Sequence, residues 1–244
     1  MHRFPLLPIA LVSAAIACSN GSAADSAADS AAKAAAVSAA VSATASAAVS
    51  AAAQPATAPA RDSLTDAADR GRILGKESAP VWFVMVSDFQ CPFCKTWHDS
   101  TFRMIEKDYV ETGKLRMAFV NFPLHANSLP ASVTAMCAAA QAKFWGTHDR
   151  IFDTQNAWKG LKEPRPFLDS LAIASGADAA KLKSCEDDKH LEPLIAADQA
   201  RFQKAGVGGT PTFYIGNATM VGAQPPKDFR RVIDSVLAAA SKGK

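Results

Sequence analysis

Two apolar runs of strand length stand out in the first half of the chain. Residues 81–86 form a continuous apolar run that suits a strand buried on both faces, and residues 115–119 form the next. Between them, a helical pattern begins at Cys91 and ends at Gly113. Its apolar face consists of Trp97, Phe102, Ile105 and Tyr109. Strand, helix and strand in this order predict a parallel pair joined by a right-handed crossover.

The pattern then changes to helical periods from residue 127 to about residue 201. We expect helices at 131–144, 145–155, 166–175 and 193–204, which together form an all-helical insertion. Residues 212–215 and 219–221 flank a Gly-Asn turn and predict a hairpin. A final amphipathic helix covers 226–240, and a short one covers 62–75, with Asp62 or Ser63 as N-cap. The fold class is α/β: a βαβ unit, a helical insertion and a ββα unit.

The N-terminus has the features of an export signal. His2 and Arg3 precede an apolar stretch that is too short to span a membrane and ends in small residues before Cys18. The run Ala15-Ile16-Ala17-Cys18 resembles a bacterial lipoprotein box, in which Cys18 carries the lipid. The alternative is ordinary signal cleavage nearby, with Cys18 lost or left as a free thiol.

Residues 19–60 are almost entirely Ala and Ser and cannot build a core. We therefore predict three parts: a signal with its lipobox at 1–18, a disordered linker at 19–60, and a folded domain at 61–244 whose helical insert lies at about 127–204. The formal net charge of +3, without a basic cluster, indicates no nucleic-acid partner.

The chemistry of the chain centres on Cys91-Pro92-Phe93-Cys94. Two cysteines at this spacing on the first turn of a helix lie on one face and can form a reversible disulfide. Pro92 suits the first helical position, and the helix N-terminus stabilises a thiolate at Cys91. A purely structural bridge and half of a zinc site are the two other interpretations, but zinc needs four ligands and no second close pair of cysteines exists. We therefore favour redox chemistry, without a metal or organic cofactor.

Two more cysteines, Cys137 and Cys185, stand alone in the helical region. An exported chain meets an oxidising compartment, so they form either a second, structural disulfide or a pair of buried thiols. Neither has a neighbouring cysteine that could resolve a mixed disulfide. We expect no catalytic role for them.

Several motifs occur together in a fixed order. Besides the cysteine motif, these are Ser87-Asp88-Phe89-Gln90, Asn121-Phe122-Pro123-Leu124-His125, Lys143-Phe144-Trp145 with His148-Asp149, and Gly206-Val207-Gly208 before Gly209-Thr210-Pro211-Thr212. With them, residues 70–237 resemble the DsbA-like thioredoxin-fold disulfide oxidoreductases. The resemblance implies that Cys91 is the exposed nucleophile and Cys94 the buried resolving thiol. It also implies a cis bond before Pro211, with Thr210 beside it offering backbone to an incoming peptide.

The chain departs from that family pattern at two positions. Met85 stands where many relatives carry a buried acidic residue, and Asp88 is expected at a solvated strand end, where it does not replace that acid. Phe93 stands where oxidases of this type often have His, which predicts a less extreme pKa at Cys91 and a less oxidising disulfide. We expect His98 to be an exposed surface residue, whereas His125 lies either near the active face or in a turn without function.

Taken together, the sequence predicts an extracytoplasmic enzyme, a protein thiol-disulfide oxidoreductase acting on cysteines of exported proteins through Cys91 and Cys94. Its location is the periplasm or cell envelope, as a monomer with a membrane redox partner. One alternative is an isomerase or reductase that the membrane partner keeps reduced. The other is a lipoprotein that binds clients or a metal without catalysis.

Overall fold

A five-stranded mixed sheet forms the centre of the protein, for which the computed structural model describes residues 62–242. The strands are β1 (Ile73–Leu74), β2 (Val81–Ser87), β3 (Leu115–Asn121), β4 (Thr212–Ile215) and β5 (Ala218–Val221), in the spatial order β1-β3-β2-β4-β5. β2 and β3 are parallel, and the other neighbours are antiparallel. The signal, the linker and Cys18 lie outside the described residues.

The predicted βαβ unit is confirmed. The helix α2 begins with Pro92–Trp97 and continues through a π-helical segment His98–Phe102, Arg103–Ile105 and a second π-helical segment Glu106–Val110. Its apolar face packs on the sheet, and the four residues expected there are all buried: Trp97, Phe102, Ile105 and Tyr109. The crossover places the start of α2 directly after β2, at the edge of the sheet where parallel strands end.

The first helix is shorter than the sequence pattern predicts. Helix α1 covers Ser63–Gly71, and Asp62 caps it by accepting hydrogen bonds from the backbone N–H groups of Leu64 and Thr65. The expected continuation to residue 75 is wrong, because Ile73–Leu74 pairs with β3 as the edge strand β1. A side chain at Gly71 would collide with the backbone of Ala139, so glycine permits α1 to approach the helical insertion.

The helical insertion contains six helices between β3 and β4. They are α3 (Ser128–Ala139), α4 (Phe144–Asp153), α5 (Gln155–Trp158), α6 (Arg165–Ala174), α7 (Ala179–Asp187) and α8 (Glu192–Lys204). The single helix expected over 131–144 is broken, because Ala142 adopts a left-handed φ of 59°. The sequence pattern also missed α7, whose Cys185 forms a disulfide with Cys137 of α3.

The last part of the fold agrees with the expected ββα unit. β4 and β5 form the hairpin, and helix α9 (Pro226–Lys242) packs against the sheet through Phe229, Ile233 and Val236. β4 pairs with β2, so the loop before β4 comes beside the start of α2. Across residues 62–242, we find no helix with the length and apolar character needed to cross a membrane.

Candidate active site

Cys91 occupies the N-cap position of α2. Its backbone is extended, with φ −66° and ψ 126°, and its N–H donates to the carbonyl oxygen of Asp88 at 3.1 Å. Pro92 follows at the first helical position, as the sequence predicts. Cys94 lies one turn further, at the start of the face that meets the sheet. Both cysteines are free thiols, so the structure shows the reduced form of the pair.

The two thiols differ in burial, but neither is fully exposed. Cys91 keeps 5% of its surface accessible and Cys94 keeps 1%. The expectation of an exposed Cys91 is therefore wrong for this reduced state. The loop before β4 covers the sulfur of Cys91, which donates a hydrogen bond to the carbonyl oxygen of Thr210 at 3.3 Å. Phe93, between the cysteines, is 63% exposed.

The electrostatics of the pair are asymmetric. A hydrogen bond from the Cys94 thiol lowers the pKa of Cys91 to about 6, with further help from Thr210 and from the backbone N–H groups at the start of α2, while burial opposes it. Burial, followed by the nearby Cys91 sulfur, raises the pKa of Cys94 well above its ordinary value. At neutral pH, Cys91 is therefore the thiol that ionises.

The loop that faces Cys91 contains the predicted proline. The peptide bond between Thr210 and Pro211 is cis, as the resemblance implied. The loop is fixed at both sides: the hydroxyl of Thr212 donates to the carbonyl of Gly209 at 2.8 Å, and the carbonyl of Pro211 accepts from the N–H of Gly222 at 2.8 Å. Thr210 and Pro211 thus lie beside Cys91, as the resemblance implied.

Asp88 is not solvated, contrary to expectation. It is fully buried. Its carboxylate accepts hydrogen bonds from the backbone N–H groups of Gln90 and Leu124 and from the hydroxyl of Ser128. The same carboxylate lies 2.6 Å from Nδ1 of His125. The chain folds over this residue because the loop after β3 returns across the end of β2. His125 therefore lies near the active face, which was the first of the two interpretations given for it.

A second supporting residue, Gln155, was not predicted from the sequence. The side-chain amide of Gln155, at the start of α5, donates to the carbonyl oxygens of Phe89 at 2.7 Å and of Cys91 at 3.0 Å. It thereby ties the helical insertion to the turn that carries Cys91. A lone glutamine at the end of an apolar helical stretch gives no recognisable signal, so only the tertiary structure reveals this contact.

His98 is also placed differently from the prediction of an exposed residue. It is 4% exposed, its Nε2 lies 3.2 Å from Oδ1 of Asp149, and its ring stacks on Phe102 and Phe152. Helix α4 of the insertion covers this part of α2. The buried His148 contacts the same carboxylate oxygen at 3.0 Å, and its burial lowers its pKa to about 4.

Clusters with metal-ligand character occur here, away from the cysteine pair. Within residues 62–242, one cluster joins His98 with His148 and Asp149, and the other joins His98 with Asp99 and Asp153. Neither cluster includes a cysteine. The carboxylate of Asp149 is also bound by Arg103 at 2.7 Å, so hydrogen bonds and an ion pair already satisfy it.

The sheet topology, the helical insertion, the asymmetric thiol pair at a helix start and the cis-proline loop together define a thioredoxin-fold enzyme of thiol-disulfide exchange. The comparison with protein families agrees: a family model described as thioredoxin matches residues 67–235. The chain belongs to this family, among its DsbA-like members, and it is a protein thiol-disulfide oxidoreductase.

Similar proteins have names that refer to disulfide formation. The chain is 30% identical over 173 residues to the probable disulfide bond formation protein D of Bacillus cereus, covering 67% of this chain and 77% of that protein. The disulfide bond formation protein D of Bacillus subtilis is 25% identical over 174 residues, covering 68% and 76%.

Solved structures show the same fold. Oxidised BdbD from Bacillus subtilis has a TM-score of 0.64 at 25% identity, covering 69% of this chain and 94% of that one. The alpha-DsbA1 protein of Wolbachia pipientis has a TM-score of 0.65 at 24% identity, covering 70% and 93%. The α/β fold with an all-helical insertion is thereby confirmed.

Proposed function

We propose that the protein exchanges disulfides with exported proteins, with Cys91 as the nucleophile and Cys94 as the resolving thiol. The observation that carries this proposal is the asymmetry of the pair, because the pKa of Cys91 is lowered to about 6 while that of Cys94 is raised. Only a thiolate attacks a disulfide at a useful rate. Cys91 is thus ready at neutral pH, whereas Cys94 stays protonated until it is needed.

The exchange proceeds through a mixed disulfide. The Cys91 thiolate attacks one sulfur of a client disulfide, and the other client sulfur leaves with the electron pair. Cys94 then attacks Cys91, which releases the second client sulfur and leaves the Cys91–Cys94 pair oxidised. In the opposite direction, a client thiolate attacks the oxidised pair and the client leaves with the new disulfide.

Thr210 and Pro211 position the client segment. The loop lies against Cys91, and Pro211 has no N–H that would need a partner. A side chain added at Gly208 or Gly209 would meet no atom within 4 Å, so space for an extended segment exists beside the loop. Backbone pairing of that segment with the loop, as in strand addition, supplies affinity without demanding a particular client sequence.

We place the enzyme outside the cytoplasm, in the periplasm or cell envelope. Support comes from the predicted export signal and from the disulfide between Cys137 and Cys185, because such bonds form and persist in oxidising compartments. Lipidation of Cys18 would anchor the enzyme to the membrane through the 19–60 linker. A membrane redox partner would reset the cysteine pair of a monomeric enzyme after each cycle.

The direction in the cell is oxidation of client thiols, with isomerisation or reduction as the second candidate. Phe93 favours the second candidate to some degree, because this exposed apolar residue adds no charge that would hold the Cys91 thiolate. The redox form of the pair in the cell distinguishes the two directions. A mostly oxidised pair indicates an oxidase, and a mostly reduced pair indicates an isomerase or reductase.

Two variants test the roles of the cysteines. Cys91→Ala is expected to abolish insulin reduction, and Cys94→Ala is expected to trap mixed disulfides with client proteins. The matched control is the pair Cys137→Ala and Cys185→Ala, which removes two sulfurs elsewhere and should leave both readouts in place. Insulin reduction that survives Cys91→Ala, with no trapped species in Cys94→Ala, would favour a client-binding or metal-binding lipoprotein.

A further inference from the structure

The adjacent parallel strands β2 and β3 each end in a buried polar side chain. Ser87 is 2% exposed and Asn121 is fully buried, and the two residues are paired in register. Paired residues of parallel strands project to the same side of the sheet, so these two side chains are neighbours on one face. The same face is otherwise apolar at the preceding positions, which are Phe83, Met85, Met117 and Phe119.

That face is the one that contains the resolving thiol. Phe83 and Met85 belong to the core cluster that includes Cys94, whereas the opposite face, with Val84 and Val86, packs into a separate cluster. The hydroxyl of Ser87 and the backbone N–H of Asp88 face the Cys94 sulfur. A polar pair therefore interrupts an apolar layer at the place where a buried thiol must ionise.

Within residues 62–242, the side chain of Asn121 has no hydrogen-bond partner. Both amide atoms, Oδ1 and Nδ2, are buried and form no hydrogen bond with any group of residues 62–242. Buried amides in native proteins are nearly always paired, and a bound water is the usual partner when protein groups are out of reach. The amide of Asn121 can both donate to such a water and accept from it.

The Cys94 thiol needs a proton acceptor, because it is 1% exposed and attacks only as a thiolate. The nearby carboxylate of Asp88 does not serve this purpose well, since four donors already occupy it. Met85, on the same face as Ser87, has no group that can accept a proton. Ser87 and Asn121 are the polar side chains that the ends of the two strands supply.

We propose that Ser87 and Asn121 bind a water molecule that accepts the Cys94 proton when the mixed disulfide is resolved. This inference rests on the proposed roles of Cys91 and Cys94. Ser87 acts as a catalytic residue, because its hydroxyl faces the reacting sulfur, and Asn121 is a positioning residue that orients the water.

The step balances in protons and electrons. The Cys94 proton passes to the water, and the sulfur of Cys94 forms a bond to the sulfur of Cys91. The bond between Cys91 and the client sulfur breaks, and the client sulfur leaves with the electron pair and takes up the relayed proton. In this reductive direction the client disulfide is the oxidant, since it gains the two electrons that the cysteine pair loses. When the enzyme oxidises clients, the disulfide of the membrane redox partner takes its place and the same step reoxidises the pair.

A single-turnover measurement separates the two thiols. Reduced protein is mixed with an equimolar amount of dithiobis-nitrobenzoate, and the released nitrothiobenzoate is followed by absorbance in stopped flow. The first phase reports attack by Cys91 on the reagent, and the second reports attack by Cys94 on the mixed disulfide. Ser87→Ala and Asn121→Leu should slow the second phase about tenfold near neutral pH and leave the first unchanged.

The pH profile distinguishes proton transfer from a loss of packing. The slowing should shrink as pH rises, because hydroxide then removes the Cys94 proton directly, and Ser87→Thr, which keeps the hydroxyl, should restore much of the rate. The control is Ser132→Ala, which removes a different buried hydroxyl, one that forms no hydrogen bond within residues 62–242. It should leave both phases unchanged.

Three outcomes would overturn the proposal: second phases within about twofold of wild type in both variants, a slowing that is equal at every pH, or equal slowing of both phases. If the variants do not fold, the wild-type protein in deuterium oxide still decides, since an isotope effect is expected on the second phase and its absence refutes the water relay. A missing first phase in wild type would instead contradict the role of Cys91.

Discussion

The sulfur of Cys91 lies 3.3 Å from the carbonyl oxygen of Thr210 and donates a hydrogen bond to it. This contact joins the start of α2 to the loop before β4, two segments separated by 119 positions in the chain. The thiol is thereby covered in the reduced state. When Cys91 ionises, its sulfur no longer donates this hydrogen bond to the carbonyl oxygen of Thr210.

The first prediction concerns the origin of the low pKa of Cys91. A hydrogen bond from the Cys94 thiol is its largest cause, so Cys94→Ala should raise the pKa of Cys91 above its value of about 6. The thiolate absorbance of the single remaining active-site thiol, followed against pH, measures the change. Cys137→Ala with Cys185→Ala, which leaves the pair intact, is the control. A pKa that stays near 6 would show that the helix start and Thr210 lower the pKa of Cys91 without Cys94.

A second prediction concerns the hydroxyl of Thr210. The hydroxyl is buried and makes no hydrogen bond within the described residues while Cys91 is a thiol. It faces the Cys91 sulfur and can donate to the thiolate, which contributes to the lowered pKa. Thr210→Val keeps the shape and removes this donor. We expect a higher pKa at Cys91 and slower alkylation by iodoacetamide below neutral pH.

The outcome at high pH provides the control for this variant. Above the pKa of both proteins, Cys91 is a thiolate in each, and the alkylation rates should come close together. Rates that differ equally at all pH values would mean that the valine blocks access to the sulfur and does not change its ionisation.

The sequence predicted the central βαβ and ββα units because their signals are local. The apolar run before Cys91 has strand length, and Pro92, directly after Cys91, marks the start of the helix. The cis-proline loop came from resemblance, since no local rule makes the bond before Pro211 cis. These elements place both thiols correctly at the start of α2, but they do not predict that Cys91 is buried.

The remaining differences arise from contacts between distant segments. Asp88 follows a strand and reads as solvated, but the loop carrying Leu124 and His125 closes over it. His98 reads as an exposed residue of α2 until α4 packs on it through Asp149. Edge strand β1 was not predicted, because two residues are too few to show a hydrophobic period. Its strand conformation depends on pairing with β3.

The third prediction concerns the disulfide between Cys137 and Cys185. It joins α3 to α7 across 48 positions, and a loop of this length corresponds to about 4 kcal/mol in the chain-entropy account. Replacing both cysteines with Ala should lower the free energy of unfolding by roughly 2–4 kcal/mol, as measured by urea denaturation. Insulin reduction by the folded variant should be unchanged. A loss of activity under conditions where the variant is folded would contradict a purely structural role.

The last prediction concerns His148, which is fully buried among aromatic rings and contacts Asp149. Its burial lowers the pKa from 6.5 to about 4. Above its unfolded pKa, a base of this kind is neutral in both the folded and the unfolded state, so the folded protein keeps its full stability there. As pH falls from 6.5 towards 4, the unfolded chain binds a proton that the folded protein does not. Stability should then decrease by up to about 3 kcal/mol.

His148→Gln removes this titration and keeps a polar side chain. Urea unfolding of the oxidised proteins at several pH values gives the measurement, and the stability difference between wild type and variant should narrow as pH falls through this window. The difference between the two proteins is used because Asp169 also titrates in this pH range. Burial and Glu186 raise its pKa to about 6, so its protonation increases the stability of both proteins as pH falls. The Asp149 carboxyl, whose pKa is lowered from 3.8, loses its contribution only below the window. A constant difference would show that the pKa of His148 is the same in the folded protein and in the unfolded chain.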